Sequence, residues 1–221
     1  MPLYNFLTQC AQLAKNLFVP SFCVHCKDWL EQPTILCISC RTHINPIVSA
    51  RLEVNSAITM PVFAASKYED PLKSIILAKG RFDCLASKYM GQLLWELTDV
   101  RNATFDYIVP IPLHWRRFAY RGYNQATMMA IELAKKSKQP MVELIRRKQY
   151  TVFQSVLTTA ERKENVKNAF VLQQGDLTQY QGKHFLLVDD LMTTGATLKA
   201  AAACLLPLKP ASITAVVLCR T

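Results

Sequence analysis

In the stretch LLVDDLMTTGATLKAAA, Leu186 to Ala202, an apolar run gives way to two acids, then to small hydroxyl residues and a glycine, then to good helix formers. A strand buried on both faces supplies such a run, and in an open α/β sheet the ligand crevice lies just beyond the carboxyl ends of the strands. Asp189 and Asp190 therefore stand at the crevice. Thr193, Thr194, Gly195, Ala196 and Thr197 are small enough for backbone N–H groups to close around a phosphate, and the next helix adds the positive end of its dipole. Carboxylates beside an anion cradle suit neutral hydroxyl groups of the same ligand, not a second anion. A sugar phosphate carries both kinds of group.

Two other readings compete. A strand ending in two acids also fits the magnesium strand of a nucleoside triphosphatase, but none of the 6 glycines sits in a G-x-x-x-x-G-K-[ST] loop. Nor does any G-x-G-x-x-G occur. A plain strand–helix joint with a threonine cap is the blander alternative, and it needs fewer polar residues than are clustered here.

The chain of 221 residues is 51% hydrophobic, enough for one sizeable core with a small appendage and too much for a disordered chain. No apolar run approaches the roughly 18 residues that span a bilayer, and the first residues lack a basic leader with a small-residue cleavage site. A cytoplasmic protein without a transmembrane segment is expected. Phe6, Leu7, Cys10, Leu13, Ala14, Leu17 and Phe18 share one face of an amphipathic helix, a pattern of core packing or of a membrane-surface stripe.

Of 8 cysteines, four form Cys23-x2-Cys26 and Cys37-x2-Cys40, two knuckles that can bring four thiolates to one tetrahedral ion. Zinc suits such ligands and needs no redox role. Cys10, Cys84, Cys204 and Cys219 are scattered as buried small hydrophobes usually are. His25 and His43 lie close enough in sequence to substitute for a cysteine ligand.

Residues 1–60 thus hold the amphipathic start and the cysteine module, and 61–221 an α/β domain. Strands are expected at Tyr107 to Pro110, Val142 to Ile145, Phe170 to Leu172, Phe185 to Val188 and Ile213 to Leu218, with helical patterns between them. Asp70-Pro71, Asp83 and Asn124 read as helix starts, and Thr158-x-x-Glu161 as a capping box. Such alternation builds a doubly wound sheet.

FLLVDDLMTTGAT, Phe185 to Thr197, resembles the phosphoribosyl-pyrophosphate (PRPP) motif of type I phosphoribosyltransferases. IVPIPLHWRRFAYRGYNQA from Ile108, QSVLTTAERKENVKNAF from Gln154 and the two cysteine knuckles resemble, in that arrangement, the competence protein F (ComF) family. The likeness implies a type I phosphoribosyltransferase-like parallel sheet flanked by helices, with a small N-terminal zinc-binding module. It also implies roles. Asp189 and Asp190 would hold the ribose hydroxyls and Thr193 to Thr197 the 5-phosphate. Arg121 and Gly122 match the loop that grips pyrophosphate, where glycine lets the backbone approach and arginine offers planar donors. Arg162 matches the loop that closes over the substrate. Magnesium, small and hard, would accompany PRPP. Transfer of the phosphoribosyl group would place Asp189, Asp190, Arg121 and Arg162 in the catalytic set, but no acceptor site is legible in the sequence. The family's link with natural transformation implies cytoplasmic DNA-uptake proteins as partners.

Charge offers a second reading. The net charge is +10, and between Ile111 and Phe170 twelve basic residues face four acids. Arg116/Arg117 and Arg146/Arg147/Lys148 lie among Trp115, Phe118, Tyr120, Tyr123, Tyr150 and Phe153. Basic clusters interleaved with aromatics suit single-stranded DNA, gripped by phosphate contacts and base stacking. On that reading the chain is a non-catalytic DNA-binding protein with a vestigial or regulatory sugar-phosphate pocket.

Overall fold

A computed structural model describes residues 22–31, 34–47, 49–77, 84–113, 118, 122–147 and 169–221. Its centre is the pair β6 (His184–Met192) and β7 (Ser212–Arg220), parallel neighbours whose apolar runs, Phe185 to Val188 and Ala215 to Leu218, are fully buried. Outside them lie β2 (Thr59–Lys67), parallel to β7, and β3 (Tyr107–Pro110), parallel to β6. Edge strand β1 (Ala50–Glu53) runs antiparallel to β2, giving the order β1-β2-β7-β6-β3. The sheet is therefore mixed at one edge, and it begins at Ala50 rather than at Pro61.

Two cores flank the sheet, divided by strand alternation. On one face Ile108, Leu186, Val188, Val216 and Leu218 meet α2 (Leu72–Leu77), α3 (Cys84–Leu97) and α4 (Gln125–Ser137). On the other, Val109, Phe185, Leu187, Ala215 and Val217 meet α5 (Ala196–Leu205) and a small hairpin of β4 (Ile145–Arg147) with β5 (Phe170–Leu172). Ala200, Ala201 and Ala202 let α5 lie close to the strands. Helices on both faces of a largely parallel sheet confirm the expected class.

Local chemistry fixes the element ends. Asp70 Oδ1 accepts from the N–H and, at 2.6 Å, the hydroxyl of Ser74, opening α2 as read. Asn124 caps α4 through a 3.2 Å bond from the Ala126 N–H, and its Nδ2 donates to the Ile111 carbonyl at 2.9 Å. One side chain thus ties the start of α4 to the chain leaving β3. Asp83 and the box at Thr158 and Glu161 lie outside the described residues, as do the amphipathic start and Cys10.

Differences from the sequence reading concern the sheet. Val142 does not begin β4: its N–H bonds the Ile108 carbonyl, and Met141 bridges Ile108, so this segment lies on β3 before the hairpin starts at Ile145. β1 and β2 were not anticipated, because Pro61, Ala64, Ala65 and Ser66 weaken the strand signal. Pro61 is tolerated where β2 pairs with Arg51 of the edge strand, one residue before its ladder with β7 begins.

Helices α3 and α4 cross closely at Gly91, where an added Cβ would come within 2.7 Å of Glu132 Cβ and 2.9 Å of the Met129 carbonyl. Backbone atoms cannot swing aside. Gly91→Ala should therefore lower stability by roughly 1–3 kcal/mol despite the better helix propensity of alanine. Thermal denaturation measures this, and an unchanged Tm would mean that the helices separate freely.

Candidate functional site

β6 does not stop before its acids, as the sequence reading had it; it continues through them to Met192, still paired with β7 at Arg220. The neighbour that stops is β3. Its ladder ends at Pro110 opposite Val188, and the Ile111 N–H makes a last 2.9 Å bond to the Val188 carbonyl. Asp189 and Asp190 follow immediately, half-buried, where the sheet opens on that side. The Asp190 N–H donates to Asp189 Oδ1 at 2.8 Å, which fixes the first carboxylate against the strand.

The loop beyond closes on itself. Gly195 adopts φ +74°, a left-handed conformation that disfavours any Cβ, and forms the N-cap of α5. Thr194 Oγ1 accepts from the Ala196 N–H at 3.4 Å. Asp189, Met192 and Thr193 to Leu198 surround a shallow cavity of about 30 Å³, with Thr193, Thr194 and Ala196 exposed at its rim. An added Cβ on Gly195 would meet Leu52 Cδ1 at 2.7 Å, so edge strand β1 backs the loop. No sequence signal pointed to Leu52. The arrangement is a helix N-terminus with two carboxylates beside it, and such an end can receive an anion.

Of the other sequence-selected residues, Arg121 and Arg162 lie outside the described residues. Gly122 is exposed at φ +80°, and its N–H bonds the Phe118 carbonyl at 2.7 Å. It lines a separate cleft of about 480 Å³ between the start of α4 and the β4–β5 hairpin.

The second constellation is at the N-terminal module. Cys23 and Cys26 sit in a turn closed by Cys23 N–H to Asp28 O at 2.8 Å and Lys27 N–H to Cys23 O at 2.9 Å. Cys37 caps the short helix α1 (Ile38–Thr42), its sulfur accepting from the Cys40 N–H at 3.4 Å. The four sulfurs lie within 4.8 Å of one another, and Cys26 and Cys37 Sγ are 3.6 Å apart. Zinc–sulfur bonds of about 2.3 Å in a tetrahedron separate sulfurs by about 3.8 Å. The donor set fits zinc. Neither histidine joins it: His25 Nδ1 lies 3.3 Å from Ser74 Oγ and His43 Nδ1 2.7 Å from the Ser39 carbonyl.

Electrostatics agree with a cation site. Burial opposes ionisation of Cys23, but backbone N–H groups of Cys37, Cys26 and His25 outweigh it and bring the thiol down to about 6. The Asp28 N–H favours the Cys26 thiolate, yet desolvation and hydrogen bonds to Cys23 and the Asp28 carboxylate carry it up to about 11. Cys40 is pushed up by burial and by its three sulfur neighbours. The Cys23 thiolate forms readily; Cys26 and Cys40 need a balancing cation.

Lys27 completes the first knuckle at φ +68°, strained for a residue with a Cβ. Lys27→Gly should stabilise the module by about 0.5–1 kcal/mol, the relief of strain exceeding the added entropy of the unfolded chain. A chelator titration followed by tryptophan fluorescence checks it, and a variant that loses metal sooner would show that the Lys27 Nζ bond to the Val24 carbonyl, 2.7 Å, dominates.

The module is not a loose appendage. Cys23, Leu30, Ile35, Leu36, Cys40 and Ile44 share one core with Leu72, Ile75, Tyr89 and Leu93 of α2 and α3, and Arg41 pairs with Glu96.

Comparison with known proteins matches the phosphoribosyl transferase domain family over residues 116–221. The chain is 31% identical over 211 residues to the DNA utilization protein YhgH of Escherichia coli (strain K12), covering 90% of each. It is 36% identical over 92 residues to competence protein F of Haemophilus influenzae, covering 41% of this chain and 40% of that one. A solved adenine phosphoribosyltransferase from Thermoanaerobacter pseudethanolicus overlays with a TM-score of 0.40 at 15% identity, over 83% of this chain and 98% of its own. With YhgH matched along nearly its whole length and competence protein F in part, and with a type I phosphoribosyltransferase sheet behind a four-cysteine module, the chain belongs to the competence protein F (ComF) family.

Proposed function

We propose that the protein serves competence-related DNA uptake or DNA use by binding PRPP, or a closely related sugar phosphate, at the end of β6. The observation that carries this reading is the placement of Asp189 and Asp190 at the point where β3 ends, directly before a loop held by left-handed Gly195. The carboxylates accept hydrogen bonds from the ribose hydroxyls, and backbone N–H groups and hydroxyls of Thr193, Thr194 and Thr197 take the 5-phosphate. Arg121 and Gly122 grip the pyrophosphate and Arg162 closes over it, as the family pattern implies. Two adjacent carboxylates beside bound oxyanions also form the hard oxygen set that magnesium prefers, and the ion would neutralise pyrophosphate charge.

Residues 1–60 carry a structural zinc held by Cys23, Cys26, Cys37 and Cys40. Relatives named DNA utilization protein and competence protein F support a role in DNA use or competence; a cytoplasmic place beside DNA-uptake proteins follows from the family pattern alone. Among the described residues no helix is long and apolar enough to cross a membrane.

Calorimetric titration of the zinc-loaded full chain with PRPP, with and without magnesium, tests the site. Saturable binding that weakens without magnesium is expected, with ribose 5-phosphate binding more weakly because it lacks the pyrophosphate. Absence of PRPP binding with magnesium present would overturn the reading. Incubation with PRPP and a single-stranded oligonucleotide, followed by assay of released pyrophosphate, reports whether phosphoribosyl transfer accompanies binding.

A further inference from the structure

The two edges of the sheet differ. Along β3 the segment at Met141 and Val142 covers the strand, the Val142 N–H bonding the Ile108 carbonyl at 2.9 Å. β1 has no such cover among the described residues, and its continuous register with β2 leaves no bulge to turn the edge away. The ladder shows which of its groups are unpaired. Past the end of β1 the Val54 N–H bonds the Ile58 carbonyl at 2.9 Å, while Pro61, opposite Arg51, has no N–H to exchange. Antiparallel pairing alternates, so Ala50, Leu52 and Val54 turn their backbone groups to the hairpin partner, and the N–H and C=O of Arg51 and Glu53 face outward. Side chains alternate as well. Ala50, Leu52 and Val54 pack against the core that holds α5, whereas Arg51 and Glu53 are exposed, and neither forms an ion pair among the described residues.

Such an edge is complementary to itself. In an antiparallel pair of β1 strands related by a twofold axis at Leu52, Arg51 stands opposite Glu53 of the second copy, and Glu53 opposite its Arg51. Both are then bonded pairs, each exchanging two N–H···O bonds across the seam. The same register sets every guanidinium against a carboxylate and lays Leu52 beside Leu52, with Ala50 opposite Val54 of the second copy. Sliding by two residues would set Arg51 on Arg51 or Glu53 on Glu53, so the charges also fix the register. We propose that β1 is a homodimer contact through which a second copy of this chain joins the two five-stranded sheets into one continuous sheet. A net charge of +10 on each chain opposes association and the strand has only 4 residues, so the dimer is weak and forms at micromolar concentrations or above. Because Leu52 also backs Gly195, the seam runs behind the Thr193 to Thr197 loop of each copy. The inference does not rest on PRPP binding.

Sedimentation velocity on the zinc-loaded full chain, from roughly 10 to 500 μM and in about 0.15 M salt to screen the net charge, reads the equilibrium. The parent should pass from monomer to dimer across that range. Arg51→Glu sets carboxylates alone at the seam and Glu53→Arg guanidiniums alone, and each should weaken the dimer by about ten-fold or more. An equimolar mixture of the two variants should recover it, because every facing pair is again of opposite sign. The double substitution Arg51→Glu, Glu53→Arg within one chain should recover it for the same reason. Thermal melts identify any single variant that misfolds, and the double variant then decides. A parent that stays monomeric throughout overturns the proposal. Folded single variants that dimerise as the parent does overturn it too, since the contact then lies on another face. Failure of the mixture of folded variants, or of the double variant, to recover the dimer overturns the pairing of Arg51 with Glu53 and the proposal with it.

Discussion

Stripping the metal from the purified protein with a strong zinc chelator should lower its Tm by about 10 °C or more, the equivalent of some 3–5 kcal/mol for a domain of this size. The effect reaches beyond the knuckles because Cys23 and Cys40 are buried in the core that holds Leu72, Ile75 and Leu93. Without a cation, four sulfurs within 4.8 Å of one another cannot all ionise, and the turns at Cys23 and Cys37 lose the bond that holds them together. Cys40→Ser should behave like the chelated protein, since three thiolates and a hydroxyl make a much weaker zinc site. The metal content of the parent protein, measured by atomic emission, should be stoichiometric in zinc. Superimposable melts of loaded and chelated protein would remove the structural role.

The double substitution Asp189→Asn, Asp190→Asn should weaken PRPP binding by roughly 100-fold or more while leaving the fold intact. Hydrogen bonds from ribose hydroxyls to carboxylates are charge-assisted, worth about 1.5–3 kcal/mol each, and an amide of the same shape keeps only part of that. Stability should hold, because each amide has the shape of the carboxylate it replaces and an Oδ1 at position 189 can still accept from the backbone N–H of residue 190. Calorimetry gives the affinity and thermal melting the stability. PRPP affinity within two-fold of the parent, in a folded double variant, would reduce the acids to a structural joint between β6 and α5.

What was legible in the sequence was local. The cysteine spacing, the Asn124 cap and the run from Leu186 to Thr197 each carry their chemistry within a few residues, and the structure keeps each of them together. What was not legible depends on partners far along the chain. β2 looks poor as a strand because Ala64, Ala65 and Ser66 are small, and it is a strand because β7 lies beside it. The crevice opens at the acids through the early end of β3, about eighty residues upstream, rather than through any property of β6 itself. The support of Gly195 by Leu52 and the cleft shared by Arg146 and Thr127 are likewise visible only once the chain is folded.

The strand order also dictates a timetable for synthesis. Every ligand of the zinc site has been made once Cys40 emerges from the ribosome, whereas β2 has no partner on its inner edge until β7, ending at Arg220, follows at the far end of the chain. For most of translation the half-built sheet therefore exposes an open apolar strand whose mate does not yet exist, the condition under which nascent chains pair wrongly or recruit chaperones. Assembly of the cysteine cluster is early and local; closure of the sheet is late and long-range, so termination between Cys40 and β7 would leave a fragment with all four cysteines and an unfinished sheet.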